Sequence, residues 1–422
     1  MARFYIPYGT QKRILTLPPP WRATSITRQE VNALPNPYKA VEAALDTLTD
    51  NTQIETFQNI HTAAIAINDK TRPVPHQYLL PPLLARIETL GVNPKDIKLI
   101  IANGTHHPMR PEEFSRILPV EILKRYPIIS HNCDTSETHA YLGETQRGTP
   151  VWINRHFVSA DLRVSIGNIE PHQFMGFSGG AKTVSIGLAS RETINTNHAM
   201  LSDPQAKACS YAENPLRQDV EEIGKMASIH FVLNTILNTH KEIISVLAGK
   251  PIAVMQEAIP IVQKTFEVPI EAPYDLIIAA PGGYPKDINL YQSQKALAHA
   301  ALAAKEGGSI ILAAACTEGI GSQSYENWMN KTFKSHTAVL KEFDQEGFSV
   351  GPHKAALIAR DAQHLEQLWL VSELPPKTVR KYLLTPGTLK EAISTVLKTL
   401  PEDARIGIMP QASTTIPRLE KK

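Results

Sequence analysis

The chain has 422 residues, 42% hydrophobic and 20% charged, with 43 basic residues against 41 acidic ones and a formal net charge of +2. That length accommodates two or three domains, and the balanced charge excludes a nucleic-acid binder driven by bulk electrostatics, which needs clustered excess Lys and Arg. No run approaches ~18 consecutive apolar residues, so no membrane span is expected, and the opening MARFYIPYGTQKR lacks the apolar core of a signal peptide.

Three cysteines, Cys133, Cys209 and Cys316, stand far apart with no CxxC spacing. Buried or free thiols in a reducing, cytoplasmic compartment are the expectation. Along the chain, the alternation of Phe4 and Ile6, then Ile14, Leu15 and Leu17, predicts a strand pair on the edge of a sheet. A helix is expected over 38–47, a buried strand over 62–67, a helix over 74–90 stopped by Gly91, and a second buried strand over 98–102. The apolar run 162–169 predicts a third, ended by Pro171, which cannot continue a central ladder. These three strands each end in polar residues: Asn68 to Arg72, Asn103 to His107, and Glu170 to His172. In open α/β sheets ligands sit outside the carboxyl ends of strands.

Asn214-Pro215 opens a helix over 215–227, and 230–237 with 243–247 predicts a hairpin followed by a helix over 250–264. Residues 271–275 break the pattern and set a domain boundary near 270. Beyond it, strands at 276–280, 309–314 and 366–371 alternate with helices at 288–305, 323–330, 336–346 and 388–399. The strand 406–409 is expected to return to the first domain. The fold class is therefore α/β: two α/β domains with mostly parallel sheets and an interdomain active-site cleft, 1–270 completed by 405–422, and 271–404.

Most of the chemistry gathers at 165–198. Gly176-Phe177-Ser178-Gly179-Gly180-Ala181-Lys182-Thr183 describes a backbone that turns tightly and presents bare N–H groups to an anion. It differs from the phosphate loop G-x-x-x-x-G-K-[ST] by Ala181 in place of the last glycine, and polar residues 170–173 separate it from the strand. His172 and His198 flank it. His106 and His107 follow Gly104-Thr105 at a strand end, where at least one is expected to act as acid or base. Arg72, between Thr71 and Pro73, suits bidentate recognition of a carboxylate. Past the boundary, Gly282-Gly283 leads into a helix on which Tyr291 and Lys295 share a face, one turn apart. His131, Cys133 and His139 lack the second ligand pair that zinc spacing requires.

Taken in order, Asp69 to Pro75, Gly104-Thr105-His106, Pro171-His172, Gly176 to Lys182, Thr193-Ile194 with Asn197-His198, and Gly282-Gly283 through Tyr291-Gln292 to Lys295 resemble the nickel-dependent lactate racemase family. The resemblance covers most of the chain. It implies a nickel-pincer nucleotide, a pyridinium mononucleotide with two thio-acid arms, joined to Lys182 by a thioamide, with His198 as the nickel ligand. It further implies His106 and His172 as the two acid/bases, and Arg72 and Lys295, with Tyr291 and Gln292, as substrate-binding residues. Asp69, Thr71, Ser178, Gly179 and Gly180 would line the cofactor. The implied reaction interconverts the enantiomers of a 2-hydroxy acid by hydride transfer through a 2-keto acid, and the implied partners are enzymes of cofactor synthesis and nickel insertion. His107 stands where the family pattern has arginine, and Ser185 and Ser190 where it has proline and glycine; the substrate among 2-hydroxy acids stays open. Two other readings are a phosphotransferase with a degenerate phosphate loop and a non-catalytic carboxylate-binding protein.

Overall fold

The computed structural model describes residues 2–72 and 74–420, and the chain divides into two compact units. One holds residues 30–265; the other holds the segment up to residue 29 together with everything from 266 onward. The boundary thus falls between Thr265 and Phe266, close to the break read at 271–275.

The 30–265 unit is built on a six-stranded sheet in the order Ile243–Gly249, Phe231–Leu237, Leu162–Asn168, Ala63–Asn68, Ile97–Ala102, Ile128–Ser130. The first pair is antiparallel, the expected hairpin, and the rest are parallel. Ala63–Asn68 reads AAIAIN and is buried almost throughout, as a parallel strand covered on both faces must be. Ile65, Leu83, Leu99, Val164 and Phe231 share one core with the helix His76–Thr89, each such side chain contributing about 1.5–3 kcal/mol by leaving water. Chain order runs outward from Ala63–Asn68 on one side, then restarts at Leu162–Asn168 on the other. The topological switch lies between these two strands, and their carboxyl ends bound the crevice where open sheets bind ligands.

The other unit carries a second six-stranded sheet, all parallel, in the order Thr385–Pro386, Leu365–Val371, Ala304–Ala313, Tyr274–Ala279, Ile406–Met409, Ala23–Ser25. Two expectations are corrected here. Residues 405–422 do not complete the first unit: Ile406 and Ile408 are buried beside Leu276, Ile278 and Ile311, and Ile416–Leu419 pairs with Glu267–Ile270. Nor do the N-terminal residues belong to it. Ala2–Tyr8 and Gln11–Leu17 form a separate antiparallel pair, not the edge of a larger sheet, and Ile6, Leu15 and Leu17 pack into the same core as Ile406. Apolar side chains matched to that core, rather than sequence proximity, decide where both ends go.

The expected helix over 288–305 is Leu290–Ala301, capped by the Asn289 side chain, because Ala304 already pairs with Tyr274. Among the described residues no helix is long and apolar enough to cross a membrane. Cys133 and Cys316 are buried free thiols, and Cys209 is half-buried.

Three further imidazoles, His76, His131 and His299, are buried as neutral groups. Burial pushes His76 and His131 down to about 4 and, with Lys295 adding to it, His299 down to about 3. Their folded pKa values lie below the unfolded ones, so the unfolded chain takes the proton first. Their contribution is complete above pH ~6.5 and is lost as the pH falls toward 4, each adding up to about 1.4 kcal/mol per pH unit to the slope. The urea-unfolding midpoint is therefore expected to drop steadily from pH 7 to pH 5. A flat midpoint across that range contradicts the burial of these rings in neutral form.

Candidate functional site

The site is assembled from the loops that leave three adjacent strands, Ala63–Asn68, Ile97–Ala102 and Leu162–Asn168. Asn68 and Ala102 are level in register, so the two loops that follow start side by side. The first turns at once: the Arg72 N–H donates to the Asp69 carbonyl at 3.1 Å. Asp69 is 3% exposed, and its Oδ1 accepts from the Thr71 N–H at 3.1 Å and the Thr71 hydroxyl at 2.7 Å. Its other oxygen lies 2.8 Å from His106 Nδ1. Burial raises the Asp69 carboxyl, but the hydrogen bonds from His106 and Thr71 and the charges of His106 and Arg72 outweigh it, leaving the group below the usual carboxylate range.

Of the two neighbouring histidines, His106 is the one this carboxylate holds. Because Oδ2 can only accept, the ring proton sits on Nδ1 and the Nε2 lone pair is left for chemistry. A carboxylate that fixes the tautomer and stabilises the imidazolium is the arrangement that makes a histidine an oriented base. Thr71 and Arg72 are exposed beside it, with Arg72 Nη1 3.4 Å from the Thr71 hydroxyl.

The third loop opens with a short hairpin, Pro171–His172 against Gly176–Phe177. This hairpin separates strand from glycine loop, unlike a phosphate loop, where the strand runs straight in. The Met175 N–H points at His172 Nδ1 at 3.2 Å, so in the neutral ring Nε2 carries the proton, the opposite tautomer to His106. Phe174 is the hub of the next contacts: its ring meets His172 edge-on at 4.6 Å and His198 at 5.3 Å, and its carbonyl is held by Asn214 Nδ2 at 2.9 Å.

The glycine loop is braced from beneath. The Ser178 hydroxyl donates to the Asn168 carbonyl at 2.7 Å and accepts the Glu170 N–H at 2.9 Å, closing the loop onto the strand end. Gly179 and Gly180 adopt φ of +72° and +58°. A Cβ on Gly179 would lie 2.4 Å from Ile169, and one on Gly180 2.6 Å from Arg217, so only glycine fits. Lys182, half-buried, begins the short helix Lys182–Ser185. The turn after that helix receives the Gly104 N–H at the Gly187 carbonyl, 3.0 Å, tying the loop of His106 to that of Lys182.

His198 lies on Arg191–Ala199, a helix capped by Ser190. Burial, then the charge of Lys182, pushes it down to about 3, so it is a neutral imidazole at any physiological pH. Its Nδ1 lies 3.1 Å from Asn197 Oδ1, which can only accept, so the ring proton sits on Nδ1. Asn197 is anchored in turn to Asp219 at 2.8 Å, and Asp219 takes the hydroxyls of Thr145 at 2.6 Å and Thr149 at 3.0 Å. A neutral imidazole oriented by such a chain has the chemistry of a nitrogen ligand to a late divalent metal. Among the described residues no three His, Cys, Asp or Glu side chains gather as a metal cage. His131 and His139 do meet, at 5.2 Å, but the two ring nitrogens of His131 face the Ala189 carbonyl and Asn154.

Sequence reasoning missed Arg217. It is wholly buried, donates to Glu221 through Nε at 2.8 Å, and reaches the carbonyls of Phe177 at 3.0 Å and Gly179 at 3.2 Å. An Arg and a Glu four apart on a helix read as a surface pair; nothing in the spacing announces burial. Arg217→Met leaves Glu221 buried without its partner and is expected to cost about 3–5 kcal/mol in urea unfolding. The double variant Arg217→Met, Glu221→Leu should recover most of that; a single variant as stable as the parent contradicts this bracing role.

In the other unit the switch point falls beside Tyr274–Ala279, and the Gly282-Gly283 turn follows it. Asp287, fully buried, pins this loop by accepting the N–H groups of Gly9 at 2.6 Å and Ala315 at 3.3 Å. Tyr291, Gln292 and Lys295 then lie together on Leu290–Ala301, Gln292 exposed and the other two half-buried.

Two family models match the chain: lactate racemase N-terminal domain over residues 8–209 and lactate racemase C-terminal domain over residues 270–416. The chain is 28% identical over 431 residues to a lactate racemase of Thermoanaerobacterium thermosaccharolyticum, covering 99% of this chain and all of that one. It is 32% identical over 290 residues to a lactate racemase of Lactiplantibacillus plantarum, 68% of each chain. The structure of the lactate racemase apoprotein from T. thermosaccharolyticum superposes with a TM-score of 0.88 over 99% of this chain and all of that one. A Thermotoga maritima protein, 18% identical, shares the fold alone, with a TM-score of 0.65 over 93% of this chain and all of that one.

Proposed function

The chain belongs to the lactate racemase family and is an isomerase, and from that premise we propose that it racemises a 2-hydroxy acid with a nickel-pincer nucleotide joined to Lys182. The observation that carries the reading is the company Lys182 keeps: a neutral, oriented imidazole in His198, and two histidines in opposite tautomers on loops of the same sheet edge. Neither capture of a carboxylate nor transfer of a phosphate calls for that set. When bound, the group supplies nickel and an electrophilic carbon able to take up a hydride from Cα and return it.

The chain's own residues do the rest. Lys182 offers the amine for the covalent link, and His198 offers Nε2 to nickel, its ring set by Asn197. Asp69, Thr71, Ser178, Gly179 and Gly180 line the cofactor. Removing Cα–H as a proton is hard beside a carboxylate, whereas its removal as hydride becomes feasible once a base takes the hydroxyl proton. His106 Nε2 is that base for one enantiomer, with Asp69 stabilising the imidazolium that forms. His172, with Nε2–H, donates to the oxygen of the flat 2-keto acid and gives it the hydroxyl proton as hydride returns to the other face; in the reverse direction the ring that has given up that proton takes it back from the other enantiomer. Arg72 holds the carboxylate by its planar fork, and Lys295, with Tyr291 and Gln292, a substrate oxygen. Enzymes that build the cofactor and insert nickel are the implied partners.

The test is holoenzyme supplied with lactate deuterated at C2. Hydride transfer predicts racemic product that keeps its deuterium; exchange of the label with solvent refutes the hydride route in favour of proton abstraction.

A further inference from the structure

The helix Pro352–Ala362 carries a cation into the core of the second unit. Lys354 is 6% exposed; its ammonium donates to Gln294 Oε1 at 2.9 Å and lies 4.9 Å from the centre of the Tyr291 ring. One neutral amide and one aromatic face compensate only part of the burial of a group with three protons. Among the described residues no carboxylate forms an ion pair with Lys354. Asp361, on the same helix, pairs with Arg360 at 3.3 Å. Two ammonium groups, Lys354 and Lys295, thus attend one helix face around Tyr291, and Gln294, itself fully buried, aims its oxygen at the first of them. Burial, then the charge of Lys295, drives Lys354 down to about 7, against the pull of Asp361.

We propose that Lys354 is the subsite for a second anionic group of the substrate, so that the enzyme prefers short 2-hydroxy dicarboxylates to lactate. The proposal rests on the reading of Tyr291 and Lys295 as substrate-binding residues. A substrate ending in methyl would leave the desolvated ammonium facing hydrocarbon. A carboxylate in its place accepts the remaining protons in charge-assisted bonds. Its arrival also favours the charged amine, so binding takes up a proton near neutral pH.

Holoenzyme should show kcat/KM for malate at least about 100-fold above that for lactate, and Lys354→Met should lower the malate-to-lactate ratio by about 100-fold. Methionine is close to lysine in length and apolar, so the buried position is kept filled, which the unfolding midpoint checks. A parent that prefers lactate, or a variant that loses both substrates alike, overturns the proposal. Calorimetry with succinate, which cannot react, separates this inference from the racemase reading. Wild type should bind succinate with proton uptake that Lys354→Met abolishes, and acetate at least about 30-fold more weakly. Failure of wild type to bind succinate overturns the subsite whatever the turnover. Lys354-dependent succinate binding by an enzyme that converts no 2-hydroxy acid upholds the subsite and overturns the racemase reading instead.

Discussion

Lys182→Ala, produced together with the cofactor-synthesis enzymes, is expected to emerge at the mass of the bare chain and to racemise nothing above background, a loss of more than about 10⁴-fold. The size of the effect follows from what the amine does in the proposed mechanism. It is the covalent tether, so its removal takes away the hydride acceptor rather than weakening one contact. Lys182→Arg should fail equally, since a guanidinium keeps the positive charge but does not supply the amine that the thioamide link requires. Both variants should fold: Lys182 is half-buried at the start of a four-residue helix, and the loop before it is held by Ser178 and Arg217. Intact-mass spectrometry reads the outcome directly. A variant that still carries the full cofactor mass removes Lys182 from the role.

Substituting one of the two histidines is expected to separate the half-reactions. His106→Asn and His172→Asn should each lower racemisation by about 10²–10⁴-fold, the usual worth of a positioned acid or base. A structural role would depress everything together. The proposed division of labour predicts instead that each variant keeps single-turnover formation of 2-keto acid from one enantiomer and loses it from the other, with the surviving enantiomer opposite in the two. Equal loss for both enantiomers, or an unchanged rate, takes that histidine out of the mechanism. Asp69→Asn should fall on the His106 side of the divide, because Oδ2 of the carboxylate is what orients that ring.

Much of this was legible before any coordinates. Buried runs such as Ala63–Asn68 and Leu162–Asn168 announce parallel strands by composition, and the polar residues that follow them announce the ligand edge. The residues themselves left the choice between His106 and His107 open, and only the family resemblance named His106, since the choice depends on Asp69, thirty-seven positions away, swinging its carboxylate onto one of them. Arg217 was hidden because a helical i,i+4 ion pair has the same spelling on a surface as in a core. The helix Pro352–Ala362 was missed for a related reason. Nine of its eleven residues are buried, the lysine among them, so Lys354 went unnoticed with it. Both ends of the chain were assigned to the first domain, the N-terminal one by sequence order and 405–422 as a returning strand, when burial of Ile6, Leu15, Ile406 and Ile408 in one core decides the matter.

The most direct test of the central claim is intact mass and nickel content on the wild-type chain made in cells that also make the pincer-synthesis enzymes. The account predicts an added mass that maps to Lys182 and about one nickel per chain. An unmodified, metal-free chain from those same cells contradicts it.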